Sequence, residues 1–198
     1  MSSLIDEMLA KDNSNTGRNI MFYYCDHADK RTLDPANIFS SLALQLLRTL
    51  GELPTTLLEM LERICQDNST VDLEDVLHLL LKAIERAMSA TIVIDGLDEV
   101  DENDRKLIFH HLRDIATRAT PPMIKVLVAS REDTSYLTQV PDAALFKRRI
   151  GIDVVAGDID CYVKHAIRDL INRKELVIGD PALEEEIFGA LSKGAKGM

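Results

Sequence analysis

Six carboxylates stand within ten residues, from Asp95 to Asp104, and no basic side chain interrupts them. Asp95 comes directly after four apolar residues and is followed by Gly96, whereas Asp98 and Glu99 come two residues later. Like charges at this density raise the free energy of the fold unless a cation or solvent screens them. A hard divalent ion such as Mg²⁺, held by one or two carboxylates and by the phosphate oxygens of a substrate, would relieve the repulsion. Asp98 or Glu99 would then orient or deprotonate an attacking water.

A second interpretation of these acids needs no ligand. The residues from Asp98 to Asp104 would form a solvated loop leading into a helix, whose dipole favours acidic residues in the first turn. This structural interpretation is favoured for Asp101, Glu102 and Asp104. It is less favoured for Asp95, because Asp95 comes directly after a predicted buried run and is followed by Gly96.

The acids follow the segment TIVID, Thr91 to Asp95, which is β-branched and apolar until its last residue. Such a run predicts a buried parallel strand that meets solvent at its carboxyl end. Similar runs predict an interior strand at Ile20 to Cys25, a third strand at Ile124 to Ala129 and, more weakly, a fourth at Ile150 to Val155. In open parallel sheets functional residues collect beyond the carboxyl ends of the strands, which is where Asp95 falls.

Segments with helical spacing of apolar residues alternate with these strands. Asp34 and Asp72 are the expected caps of the second and fourth of the predicted helices. Together the helices run over Ser2 to Leu9, Asp34 to Gly51, Pro54 to about Cys65, Asp72 to shortly before Thr91, Asn103 to Arg118, Asp158 to Arg173 and Pro181 to Leu191. The alternation predicts an α/β fold, a three-layer parallel sheet with helices on both faces. We expect a single domain, with residues 1–155 as the α/β core and residues 156–198 as the start of a C-terminal helical region.

Composition narrows the classes of partner. The chain has 198 residues and a formal net charge of −10, with a pI near 4.9. This excess of acidic residues opposes binding to nucleic acid or anionic membranes, because a protein that binds them uses Lys and Arg to neutralise their phosphates. No stretch approaches the roughly 18 apolar residues of a membrane span, and the first residues lack the features of a signal peptide. We therefore expect a cytoplasmic protein.

The three cysteines are Cys25, Cys65 and Cys161, and they form neither a CxxC pair nor a cluster with histidine. Their wide spacing and odd number indicate a reducing compartment and argue against a disulfide framework or a zinc site. We expect all three to be small buried apolar residues.

The full string TIVIDGLDEVDE, Thr91 to Glu102, closely resembles the Walker B motif of NACHT domains in the STAND class of P-loop NTPases. YYCDHADKRTLDPANIFSSLALQLL, Tyr23 to Leu47, is similar to the second strand and following helix of fungal NACHT proteins and of the related nephrocystin-3-like N-terminal domain. KVLVASRED, Lys125 to Asp133, resembles the sensor-1 strand of that family, and DIDCYVKHAIRDLI, Asp158 to Ile171, is also similar to it. The resemblance covers nearly the whole chain.

This resemblance implies roles for four residues. Asp95 would hold Mg²⁺, Asp98 and Glu99 would position the hydrolytic water, and Arg131 would sense the terminal phosphate of ATP or GTP. The alternative for Arg131 is an ordinary surface arginine after a strand. The family further implies that partners are other proteins, or further copies of the chain, that bind through the NACHT-like domain.

The phosphate-binding loop of such domains is absent from this sequence. That loop reads GxxxxGK followed by Ser or Thr, and its backbone amides and lysine hold the β and γ phosphates; no such string occurs. Ser2 to Leu9 resembles the helix that follows the loop, so the first strand and the P-loop are missing from the expected fold. Because that strand is central in such domains, we expect strands near residues 20, 91 and 124 to pair in that order. The fourth would be displaced, added to a shortened gap, or dependent on another chain.

The favoured function is a partial NACHT-type nucleotide-binding signalling module that neither binds nucleotide productively nor hydrolyses it by itself. One alternative is a working NTP-dependent oligomerisation switch when the domain is part of a longer chain. A third interpretation, an unrelated metal-dependent α/β hydrolase, is less favoured because neither His ligands nor a nucleophile elbow accompany the acids. The sequence leaves open whether the chain is an enzyme.

Overall fold

The structure is a computed structural model, and it describes residues 2–12, 19–66, 71–87, 89–117, 123–130 and 152–195. The chain divides into two compact units, Met1–Val140 and Pro141–Met198. The elements of the first unit are α1 (Ser2–Asp12), β1 (Asn19–Tyr24), α2 (Pro35–Thr49), α3 (Thr55–Gln66), α4 (Leu73–Arg86), β2 (Ser89–Asp95), α5 (Glu102–Thr117) and β3 (Met123–Ala129). The second unit contains α6 (Ile152–Asn172) and α7 (Pro181–Ala195), which contact each other.

The three strands form one parallel sheet in the order β1-β2-β3. Its register aligns Tyr24 with Asp95 and Asp95 with Ala129. This order confirms the prediction made for the strands near residues 20, 91 and 124, and the fold is α/β as expected. The prediction that the first strand is interior was wrong, because β1 lies at one edge of the sheet that the described residues form.

The central strand β2 is buried on both of its faces. Ile92, Val93 and Ile94 have no exposed surface, although successive side chains of a strand point to opposite faces. On the face that carries Ile92 and Ile94, the core is completed by apolar side chains of α2, α4 and α5, among them Phe39, Leu42, Leu46, Leu80, Ile108 and Leu112. The edge strand β1 contacts α1, whose Ile5 is also buried.

Two of the helices of this core begin at the predicted aspartates. The Asp34 carboxylate accepts a hydrogen bond from the backbone N–H of Ala36 at 2.7 Å, and Pro35 occupies the first position of α2. The Asp72 carboxylate accepts one from the N–H of Glu74 at 3.0 Å, at the start of α4. Each side chain satisfies a backbone donor that has no partner within its helix, which fixes where the helix starts.

The fourth predicted strand, Ile150 to Val155, was wrong. From Ile152 onward this segment belongs to α6, while Ile150 and Gly151 lie outside the described residues. The apolar run is short, and from residue 156 the helix buries Val163 and Ile167, four residues apart on one face. A helix satisfies the backbone groups of these residues internally, whereas a strand would need a neighbouring strand to pair with them.

The burial of the cysteines departs from the prediction at two positions. Cys25 is buried, but Cys65 on α3 and Cys161 on α6 are exposed. Both exposed residues lie on helices that are only partly buried, and helical spacing alone does not decide whether a small residue near the border of an apolar face is covered. Among the described helices, none is long and apolar enough to cross a membrane.

Candidate functional site

The candidate site lies where the three strands end together. Because Tyr24, Asp95 and Ala129 are aligned in the register, the carboxyl ends of β1, β2 and β3 reach the same level of the sheet. Asp95 is the last residue of the central strand. The chain thus places the predicted metal-binding carboxylate at the position where parallel α/β sheets bind ligands.

A left-handed glycine turns the chain immediately after Asp95. Gly96 has φ 74° and ψ 28°, and its N–H donates to the carbonyl of Ala129 at 3.1 Å. On the other side, the N–H of Cys25 donates to the carbonyl of Asp95 at 2.9 Å. A Cβ atom built on Gly96 would lie 2.7 Å from the carbonyl oxygen of Cys25. The turn is therefore held between the ends of β1 and β3 and requires glycine.

A short 3-10 turn, Leu97–Glu99, carries the next two predicted site residues. The N–H of Glu99 donates to the carbonyl of Gly96 at 2.9 Å, and the Leu97 side chain is fully buried in the core. Leu97 therefore anchors the turn, while Asp98 and Glu99 are only half-buried. The backbone of this segment is fixed by the fold before any ligand is present.

Asp95, Asp98 and Glu99 all lie near enough to the Cys25 thiol to act on it electrostatically. The pKa of this thiol is raised to about 12, first by burial and then by the negative charges of Asp95, Asp98 and Glu99, in that order. Each of these effects disfavours the thiolate. Three of the four predicted site residues thus influence the same thiol, and the fourth, Arg131, lies outside the described residues.

The acids that follow have structural roles. The Asp101 carboxylate accepts hydrogen bonds from the N–H groups of Asn103 and Asp104, at 3.0 and 3.2 Å, and so caps α5. Glu102 forms an ion pair with Lys106 one helical turn later. The pKa of Asp104 is raised by burial and by the nearby Asp101 carboxylate. Asp101 and Glu102 therefore have roles at the start of a helix, as the second interpretation expects.

A second acidic loop, from Asp26 to Asp34 after β1, reaches the same end of the sheet and was missed from the sequence. Asp29 and Asp34, together with Cys25, raise the pKa of Tyr23, although burial contributes most. Arg31 forms an ion pair with Asp29 at 2.8 Å and holds the pKa of that carboxyl below its usual range. The sequence DHADKR could have indicated this loop, because its acids follow the first predicted strand directly, just as Asp98 and Glu99 follow the second.

The donor atoms at this site are carboxylate oxygens, which suit a hard cation such as Mg²⁺. Within the part of the chain that the structure describes, no three His, Cys, Asp or Glu side chains converge closely enough to hold a metal ion. The described acids would therefore supply one or two ligands to such an ion, and the others would have to come from elsewhere. Mg²⁺ accepts this arrangement when substrate phosphates and water complete its shell.

The chain matches the model of a known protein family. Residues 1–131 match the family model described as Nephrocystin 3, N-terminal, which spans the entire sheet and the candidate site. The chain belongs to the nephrocystin 3 N-terminal family. No curated protein and no solved structure matches it. The family match confirms the predicted nephrocystin-3-like N-terminal domain, and it ends at Arg131, before α6 and α7.

Proposed function

We propose that this nephrocystin 3 N-terminal chain carries the acidic half of a NACHT-type nucleotide site within a P-loop NTPase-like sheet. By itself it acts as a signalling module that binds other proteins or further copies of the chain in the cytoplasm, without hydrolysing ATP or GTP. The observation that carries this proposal is the position of Asp95, at the carboxyl end of the central strand and directly before a glycine turn held by both neighbouring strands.

Each residue of this half has a defined task. In a complete site Asp95 would hold Mg²⁺, while Asp98 and Glu99 would orient the water that attacks the terminal phosphate. Arg131 would contact that phosphate. The ion would neutralise phosphate charge, and the protein would position the reacting groups, because Gly96 and buried Leu97 fix the backbone that carries Asp98 and Glu99. A bound cation would also screen the like charges of these acids.

The second half of such a site is not encoded in the sequence. Phosphate groups are held by consecutive backbone amides and a lysine of the GxxxxGK loop, and no such string occurs. Carboxylates alone repel phosphates, and the net charge of −10 adds to that repulsion. This is why we propose that the chain does not retain nucleotide by itself.

Isothermal titration calorimetry tests this proposal. Mg-ATP and Mg-GTP are titrated into the unaltered chain, into Asp95→Asn and into Glu59→Gln, which alters an exposed acid on α3 outside the site. We expect no binding at micromolar concentrations in any of the three. Micromolar binding by the unaltered chain and by Glu59→Gln, lost in Asp95→Asn, would overturn the proposal that the chain is inactive alone.

The folded state of the acidic half favours a second candidate, a working NTP-dependent switch within a longer chain. An N-terminal extension that supplies a strand and a GxxxxGK loop tests it. The extended protein should bind nucleotide in a Mg²⁺-dependent manner, Asp95→Asn should weaken that binding by at least about tenfold, and Glu59→Gln should not. Equal affinity in the Asp95→Asn variant would remove Asp95 from the site.

A further inference from the structure

A glutamine side chain of α2 is hydrogen-bonded to the backbone of β1. The oxygen of the Gln45 amide accepts from the N–H of Phe22 at 2.9 Å, and its nitrogen donates to the carbonyl of the same residue at 2.8 Å. The nitrogen also donates to the hydroxyl of Ser41, one turn earlier on α2, at 3.2 Å. All three bonds fit a single orientation of the amide, because the flipped amide would set an N–H against the N–H of Phe22.

This pair of bonds replaces the pair that an added antiparallel strand would make. The N–H of Cys25 donates to the carbonyl of Asp95 on β2, and backbone groups of alternate residues point to opposite sides of a strand. The groups of Phe22, three residues before Cys25, therefore point away from β2. Since Gln45 bonds both of them, no further strand can pair with β1 at Phe22 while the amide is in place.

A second polar contact joins α2 to the start of β1. The hydroxyl of Thr49, one turn after Gln45, is hydrogen-bonded to the side-chain oxygen of Asn19 at 2.7 Å. The side-chain nitrogen of Asn19 donates to the carbonyl of Ser89 on β2 at 2.9 Å. The helix is thus attached to β1 at the first residue of the strand and near its centre, which positions the Gln45 amide.

The strand under this cover has the composition of a segment that self-associates. Asn19 to Cys25 reads NIMFYYC and contains no charged residue, no proline and no glycine. Segments of about six or seven residues with high β propensity and low charge stack in register between identical chains. Edge strands are normally protected by a charge, a proline or a covering element. Because β1 has neither charge nor proline, its protection depends on the cover.

We propose that Gln45 is a latch that keeps β1 from pairing with β1 of a second copy of this chain. The composition selects a second copy as the excluded partner, because stacking of identical strands places each aromatic ring on its own counterpart. The rings of Phe22 and Tyr24 already contact each other edge to face at 5.9 Å, and Tyr24 is 39% exposed. The latch is a property of the folded chain and does not depend on the proposed nucleotide site.

Thioflavin fluorescence and sedimentation velocity of the full chain, without nucleotide or denaturant, test the proposal. Circular dichroism first establishes that each variant is folded. Gln45→Leu frees the N–H and C=O of Phe22 and should form thioflavin-positive assemblies at least about ten times faster than the unaltered chain. Gln45→Asn, a milder change whose amide is one methylene shorter, should also assemble faster. Leu44→Ala, at the exposed neighbouring position, should assemble at the unaltered rate. Unaltered rates in both Gln45 variants would overturn the proposal.

A charge on β1 separates loss of the latch from loss of stability. Adding Tyr24→Glu to Gln45→Leu places a carboxylate on the strand at the residue aligned with Asp95. Like charges on neighbouring strands cannot restore stability, but the same charge repels its copies in a stack of identical strands. The double variant should therefore be no more resistant to urea than Gln45→Leu and should nevertheless assemble at the unaltered rate. Assembly as fast as that of Gln45→Leu would refute pairing through β1.

Discussion

The substitution Gly96→Ala tests whether the turn after Asp95 is as constrained as the structure indicates. An alanine at φ 74° costs about 1–2 kcal/mol, because the left-handed region crowds Cβ against the backbone. Its Cβ would lie 2.7 Å from the carbonyl oxygen of Cys25, and this oxygen belongs to the backbone and has little freedom to move. Relieving that overlap costs about another 1–3 kcal/mol. The reduced entropy of the unfolded chain returns about 0.4–1 kcal/mol.

The expected net loss is therefore about 1–4.6 kcal/mol of unfolding free energy, less than the roughly 5–15 kcal/mol of a typical domain, so the variant should fold. Urea denaturation measures it, and the midpoint should fall by about 0.5–2 M. Gly51→Ala is the matched control, since a Cβ at Gly51 meets no atom within 4 Å and its φ is not positive. A loss below about 0.5 kcal/mol for Gly96→Ala, or a loss equal to that of Gly51→Ala, would refute the reasoning.

Three further predictions concern single contacts. Gln45→Leu removes both hydrogen bonds to the backbone of Phe22 and should lower the free energy of unfolding in urea by about 1–3 kcal/mol. Burial, followed by the neighbouring His110, lowers the pKa of His111, so the unfolded chain binds the proton more readily. Unfolding free energy should therefore fall as the pH drops below the unfolded value of about 6.5, and His111→Gln should flatten this dependence. The thiol of Cys25, with a pKa raised to about 12, should react with a thiol reagent at about pH 8 only after unfolding, whereas the exposed cysteines should react in the native state.

Each of these predictions has a control. Leu44→Ala changes an exposed neighbour of Gln45 on α2 and should cost little, so equal losses for the two variants would contradict the role of the Gln45 amide. The ring of His165 is 78% exposed, and His165→Gln should leave the pH dependence unchanged. A pH profile that His111→Gln does not alter would assign the dependence to other groups. A third thiol that reacts rapidly in the native protein would show that Cys25 is accessible.

Local chemistry explains which parts of the fold could be predicted. The β-branched run before Asp95 specifies a buried strand in nearly any context, and aspartate before a first helical turn specifies a cap, as at Asp34 and Asp72. The carboxyl-end position of Asp95 then follows from the parallel sheet alone. Asp98 and Glu99 follow on a short turn after Gly96, so the sequence alone keeps them close to Asp95 along the chain.

The errors arise where a distant residue decides the outcome. The sequence around β1 resembles an interior strand because its edge is covered, but the covering group is a side chain of α2, Gln45, which no local pattern connects with Phe22. Residues 152–155 are apolar enough for a strand or a helix, and the longer helical segment that follows determined the result. The approach of Asp29 to Tyr23 depends on the path of the loop after β1, which no local pattern specifies.

The central claim is that Asp95 and its neighbours form the acidic half of a nucleotide site that is inactive without phosphate-binding amides. Calorimetric titration of Mg-ATP and Mg-GTP into the unaltered chain and into Asp95→Asn tests it most directly. The account predicts no micromolar binding to either protein. Micromolar, Mg²⁺-dependent binding to the unaltered chain that Asp95→Asn abolishes would contradict it, because the described acids would then belong to a complete site.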